Sequence, residues 1–196
     1  MADFPNIEAD AEGVALMANN QVYDSILTGE TQTASLAGAK WMFTPTFSNR
    51  EGAEARQLRS FLFNQGGTSG RFNYYPSSID NLGTHLGTGV VDGAAQVGKS
   101  LVTKGWDFSQ PLLFVAGDYL TINSELKMIT SDVASNGAGN ATIPITPPLR
   151  VSPSDNNAIE VNSPFMIGRL ETDDQARLQV SAPVIYNTTL SIVEAF

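Results

Sequence analysis

The stretch Gly93-Ala-Ala-Gln-Val-Gly98-Lys99-Ser100 matches the P-loop pattern letter for letter. A working P-loop cradles phosphates with backbone N–H groups, while its Lys reaches the terminal phosphates and a helix N-terminus faces them. That chemistry needs a buried parallel strand before the loop and a helix after it. Here the upstream Gly87-Thr-Gly-Val-Val-Asp92 is short and broken by glycine, and the downstream Leu101-Val-Thr-Lys-Gly-Trp106 reads as strand. Leu112-Leu-Phe-Val115 followed by Asp118 mimics a Walker B strand but leaves no room for the intervening helix. The match reads as a glycine-rich turn, and Lys99 is expected to do no phosphate chemistry.

Other constellations point the same way. His85 is the only histidine, which excludes a multi-His metal site, and its Gly83-Thr-His85-Leu-Gly87 setting reads as a solvated loop. No Gly-x-Ser-x-Gly elbow is present to carry a Ser-His-Asp triad. Asp173-Asp174 has the composition of a carboxylate pair or a calcium ligand set, but a polar turn explains it more simply. Asp132, Asn136 and Asn140 are loosely calcium-like in spacing, without the acidic density or closing Glu of an EF-hand. Trp41, Trp106 and the Tyr74-Tyr75 pair would suit a stacking platform for sugars, the alternative reading being a two-domain carbohydrate-binding module. No catalytic, cofactor-binding or metal residue is assigned, so the chain reads as not an enzyme and as needing no cofactor.

Composition narrows the classes further. With no cysteine, the chain has no disulfide framework, thiolate metal site or Cys nucleophile. Eleven Lys and Arg against twenty Asp and Glu give a formal charge of −9, and the cations are scattered. Tight binding to the outside of a nucleic acid, which relies on clustered cations, is not expected. No apolar run reaches the length of a membrane-spanning helix. The start, Met1-Ala-Asp-Phe-Pro-Asn6, lacks the basic and apolar regions of a secretory leader, so a soluble chain is expected.

Seventeen Gly, ten Pro and frequent Asn leave little room for long helices and favour short strands joined by turns. β-rich stretches recur at 21–27, 31–36, 41–47, 71–75, 119–122, 126–130, 141–145, 165–170, 178–181 and 189–193. In the first, alternation sets Val22, Asp24 and Ile26 against Tyr23, Ser25 and Leu27. One helix is predicted over about residues 51–65, with a capping box from Ser48 to Glu51, an apolar stripe of Ala55, Leu58 and Leu62, and Gly66 as its stop. Pro76 to Gly98 reads as a connector. The later strands include a tight turn at Asn123-Ser124 and an edge strand at Ala141-Thr-Ile-Pro144-Ile. The expected class is mostly β with one helix. A first β domain is expected over 1–88 plus 171–196, with a small β-barrel inserted over 89–170.

Several blocks in order carry a resemblance. Trp41 leads into the helix and Phe61-Leu62, then Gly70-Arg-Phe-Asn-Tyr-Tyr-Pro76. Val91-Asp-Gly-Ala-Ala-Gln-Val-Gly98 and Ala116-Gly-Asp-Tyr-Leu-Thr-Ile122 follow. Ala141-Thr-Ile-Pro-Ile-Thr-Pro-Pro-Leu-Arg150 leads to Val161-Asn-Ser-Pro164, and the chain closes on Ser191-Ile-Val-Glu-Ala-Phe196. This order resembles the distal tail proteins of long-tailed bacteriophages over nearly the whole chain. The Gly-Asp-Tyr-Leu and Pro-Pro-Leu-Arg blocks, with the Glu-Ala-Phe end, are its more specific parts.

The resemblance implies a virion structural protein of the tail tip, assembled in the host cytoplasm. Such subunits form a hexameric ring joining the tail tube to the hub. By the resemblance the domain of 1–88 plus 171–196 is the ring-forming β domain, and the second β domain faces outward, where fibres or receptor-binding proteins attach. Genomic DNA passes through the channel without specific binding, and no membrane insertion is implied. A tail-tube or tail-completion protein is the rival within virions.

Overall fold

The computed structural model describes residues 1–36, 38–174, 179–181 and 185–196, and among them the chain is mostly β with one α-helix. The first elements are β1 (Ala2–Asp3), β2 (Ala11–Met17), β3 (Asn20–Asp24), β4 (Thr31–Ser35) and β5 (Lys40–Arg50), followed by the helix α1 (Gly52–Asn64) and β6 (Phe72–Tyr74). Next come β7 (Gly87–Val91), β8 (Gly98–Trp106), β9 (Tyr119–Ile122), β10 (Glu125–Ile129) and β11 (Ala141–Leu149). The last four are β12 (Met166–Leu170), β13 (Gln179–Ser181), β14 (Ile185–Thr189) and β15 (Ile192–Glu194). Of the late stretch, residues 175–178 and 182–184 lie outside the described residues, including the expected strand start at 178.

Strand alternation builds the first core. β5 turns Trp41, Phe43 and Phe47 to one side, as period-two geometry requires. The same core takes Leu58 and Leu62 from α1, Phe72 and Tyr74 from β6, Met166 and Leu170 from β12, and Ile192 from β15. The large sheet runs β1-β6-β12-β15-β5-β14-β13, with β2 also paired to β5. β14 and β15 thus bring the chain's end back onto β5.

α1 buries Ala55, Leu58 and Leu62, and Gly66 follows it at φ 63. The expected capping box does not form. Glu51 is the N-cap, with no side-chain bond to the helix. Ser48 lies within β5, and its N–H donates to Asp10 Oδ2 at 2.6 Å. Strand pairing and this carboxylate outcompete a local cap.

The second sheet runs β7-β8-β11-β10-β9 and curls into a half-barrel around Leu101, Phe114, Leu120, Ile129 and Ile143. Residues 156–160 hydrogen-bond to β7 on one side and to β9 on the other, so they link the two edges. Asn123 and Ser124, at φ 52 and 62, make the two-residue turn between β9 and β10 that the sequence suggests.

Three sequence expectations are corrected by these pairings. β11 is the central strand of its sheet, not an edge. Pro144 is tolerated because the β8 ladder ends its regular register there, and pairing with β10 takes over at Ile145 and Thr146. β12 belongs to the large sheet, between β6 and β15, although it falls inside the 89–170 barrel range. Gly168 makes that placement possible, since a Cβ there would sit 2.8 Å from Ile192 Cγ2 and 3.3 Å from the Phe72 ring. Finally, β7 lies within the stretch read as a connector.

Candidate functional site

The two sheets meet in a buried polar clasp. Trp41 donates its indole N–H to the Leu126 carbonyl on β10 at 2.9 Å, crossing from one sheet to the other. Leu126 itself lies in the first core, with Tyr119 and Met128 packed against that core. Beside this crossing, Arg150 grips Glu194 with two nitrogens at 2.8 and 2.5 Å and donates to the Ala39 carbonyl at 2.6 Å. Glu194 also accepts the Trp41 backbone N–H, and the Phe196 ring lies 3.9 Å from the Arg150 guanidinium carbon.

A second ion pair backs the first. Lys127 is wholly buried, 2.6 Å from Glu125, and donates to the Pro148 carbonyl at 2.9 Å. Glu125 in turn accepts the backbone N–H groups of Arg150 and Val151. Burial pulls the Lys127 ammonium below its ordinary range, against the opposing pull of the Glu125 carboxylate. Each charge is paired, the condition under which buried ions are tolerated.

Asp118 forms a second hub. It accepts N–H groups from Leu82 at 2.7 Å, Gly83 at 3.0 Å and Val115 at 2.8 Å. His85 Nε2 lies 3.0 Å from the same carboxylate, and its ring packs 4.9 Å from that of Phe114. Burial alone would raise the Asp118 carboxyl, but the backbone donors and His85 outweigh it and hold it below its ordinary range. Asn81 adds bonds to Tyr119 and to the Val161 carbonyl, so residues 81–85 are strapped onto the second sheet. His85 is therefore no solvated loop residue: its side chain is 11% exposed.

The other sequence candidates resolve into structure. Gly93–Ser100 spans the turn between antiparallel β7 and β8, and Lys99 already belongs to a strand. Gln96 braces this turn by bonding the carbonyls of Asp92, Gly93 and Val102, and Gly93 donates to Asp155. Asp132 accepts from Ala116, Asn136 from Ala138 and Asn140, and Asp173 from Thr68, so these groups serve loop closure. Among the described residues no group of three metal-ligating acidic or His side chains comes together. Trp41, Trp106 and Tyr74 are buried and present no face for a sugar, so of the suggested stacking platform Tyr75 alone, 42% exposed, stays open to solvent. Tyr74 instead donates to Glu12, tying β6 to β2; burial first, then that carboxylate, pushes its phenol up.

One surface stands apart. Among the described residues β3 and β4 pair only with each other, and β3 is exposed on both faces. Val22, Tyr23 and Leu36 are open to solvent, and Ile26 and Leu27 at the tip are 101% and 96% exposed. The tip is nevertheless well made: Gly29 N–H donates to Ser25, Ser25 N–H to Glu30, and Thr31 to Asp24 Oδ1 at 2.7 Å. The strand expected over 21–27 is found over Asn20–Asp24, and Ile26 and Leu27 lie in the turn beyond it. Each face of β3 carries one exposed apolar residue, Val22 on one side and Tyr23 on the other, which fits a hairpin standing free. No family model matches this chain, and no curated protein matches it.

Proposed function

We propose that this chain is a structural subunit of a ring at the distal end of a long-tailed phage tail. The observation that carries the reading is the free β3–β4 hairpin. An isolated two-stranded hairpin is marginal in water, and one bearing bare Ile and Leu at its tip needs a surface outside its own chain. The clasp adds support. The Pro-Pro-Leu-Arg and Glu-Ala-Phe blocks, the specific parts of the resemblance, meet in space through Arg150, Glu194 and Phe196. In this reading the large sheet and its hairpin build a hexameric ring between tube and hub. The half-barrel faces outward as the attachment point for fibres or receptor-binding proteins. DNA crosses the channel without being held, and the loops lining it are net acidic.

Native mass spectrometry and negative-stain imaging of the purified chain test the proposal. Sixfold assemblies with a central channel are expected. Replacing residues 20–35 by a short Gly-Ser linker should leave a folded monomer. A wild-type chain that stays monomeric at every concentration overturns the ring reading.

A further inference from the structure

Charge is unevenly divided along this chain. Residues 1–39 contain six Asp or Glu and no Lys or Arg, and the hairpin contributes Asp24 and Glu30 to that acidic stretch. One face of α1 carries the opposite sign, with Glu54 on another face of the helix. Arg56, Arg59 and Phe63 are spaced i, i+3 and i+7, so they share one helix face, beside the stripe that enters the core. All three are exposed, Phe63 by 62%. Arg56 makes no ion pair among the described residues, while Arg59 leans on the Tyr186 hydroxyl at 3.0 Å. In a molecule of net charge −9, a face of two arginines around a bare aromatic ring is a local exception.

The two surfaces are complementary in both charge and polarity. Each carries an apolar centre, Ile26-Leu27 on the hairpin tip and Phe63 on the helix. Each centre is flanked by charge, acidic on one and basic on the other. We propose that the hairpin tip of one copy seats on the Arg56–Arg59–Phe63 face of α1 in the next copy. Ile26 and Leu27 cover Phe63, and Glu30 and Asp24 face the two arginines. The patches differ, so the contact is heterologous and repeats head to tail, which closes into a ring when the rotation permits. This inference rests on the ring reading and names its seam.

The chain has no cysteine, so introduced thiols report contacts unambiguously. The double variant Ile26→Cys/Phe63→Cys, mildly oxidised, should give a ladder of covalent oligomers on a non-reducing gel, whereas either single variant should give none beyond dimer. Arg56→Glu and Glu30→Arg should each weaken self-association at least tenfold, and the combined swap should restore it to within about threefold, because opposite charges face again. Circular dichroism confirms that each variant is folded. If wild type forms rings while the charge variants do so equally well and the double-cysteine chain shows no ladder, this seam is wrong and the ring reading survives. A wild type that never self-associates overturns both.

Discussion

The clasp around Arg150 and the β3–β4 arm are made of similar strand-forming residues, yet the ion pairs of one are largely buried and the other is open to solvent. In the clasp the bonds tie distant parts of the chain together, 44 residues apart for Arg150 and Glu194 and 25 for the Arg150 N–H and Glu125. In the arm the bonds are local, between residues of one hairpin. Free energy of folding is thus concentrated where the sheets meet. The arm contributes little to it, and its apolar side chains remain available for an intermolecular contact. Variants in the two regions should therefore separate stability from assembly.

The largest loss is expected at the clasp. Glu194→Ala leaves the Arg150 guanidinium buried without its carboxylate and the Trp41 N–H without an acceptor. Removing one partner of a buried pair costs about 3–5 kcal/mol, to be read from urea unfolding at unchanged slope. A loss below about 1 kcal/mol would show that water reaches the pair and that the contrast with the arm is weaker than drawn.

Packing in the half-barrel offers the next test. Gly89 faces the buried Trp106 ring so closely that a Cβ would lie 2.0 Å from Cζ2, and the indole is pinned by its bond to Thr103 at 2.8 Å. Gly89→Ala should cost about 3 kcal/mol, since an overpacked site must displace a fixed ring. A shift in Trp106 emission should accompany the loss. An unchanged midpoint would mean that the ring swings aside freely.

The Asp118 hub is expected to matter less, with a pH signature of its own. A carboxyl held below its ordinary range stabilises the folded chain when ionised, so the stabilisation is full above the unfolded value near pH 4 and fades as pH falls below it. Asp118→Asn should remove about 2 kcal/mol at neutral pH, the scale of hydrogen bonds to a charged group. Its stability should also fall less steeply than that of wild type below about pH 4. Equal acid slopes for the two proteins would show that other carboxylates govern the decline.

What the sequence made legible follows the range of the forces involved. The mostly β class, the helix stripe Ala55–Leu58–Leu62 and the Asn123-Ser124 turn are written in short-range pattern, and the fold shows them. The capping box failed because a carboxylate 38 residues away took the Ser48 N–H. Pro144 misled because a bulged central strand has one position where no N–H is needed. Sequence order groups β12 with its neighbours, whereas its partners lie between 92 residues upstream (Met166 to Tyr74) and 96 (Gly168 to Phe72), and near the chain's end. Loop composition makes His85 look solvated, but Asp118, 33 residues on, supplies the partner that composition does not reveal. The clasp was legible as blocks but not as a contact, because nothing local in Pro-Pro-Leu-Arg announces Glu194. One signal for the arm was present throughout: apolar residues on both faces of 21–27 fit no half-buried strand.

The smallest effect on stability, and the sharpest on assembly, is expected at the arm. Ile26 and Leu27 touch almost nothing within the chain, being essentially as exposed as in an unfolded peptide. Folding therefore removes little of their apolar surface from water, and Ile26→Ser with Leu27→Ser should shift unfolding by no more than about 0.5 kcal/mol, the usual range for surface sites. The tip bonds run through Ser25, Gly29, Glu30 and Thr31, none of which is altered. In an assembled ring the same two side chains are covered. Removing them there forfeits about 1.5–3 kcal/mol per buried side chain, roughly a tenfold or greater loss of affinity at each seam. Unfolding curves and sedimentation of one sample measure both quantities. A variant that keeps both its stability and its assembly would leave the arm without a role. One that loses stability outright would show the tip to be packed within the chain after all, and the contrast between clasp and arm would dissolve.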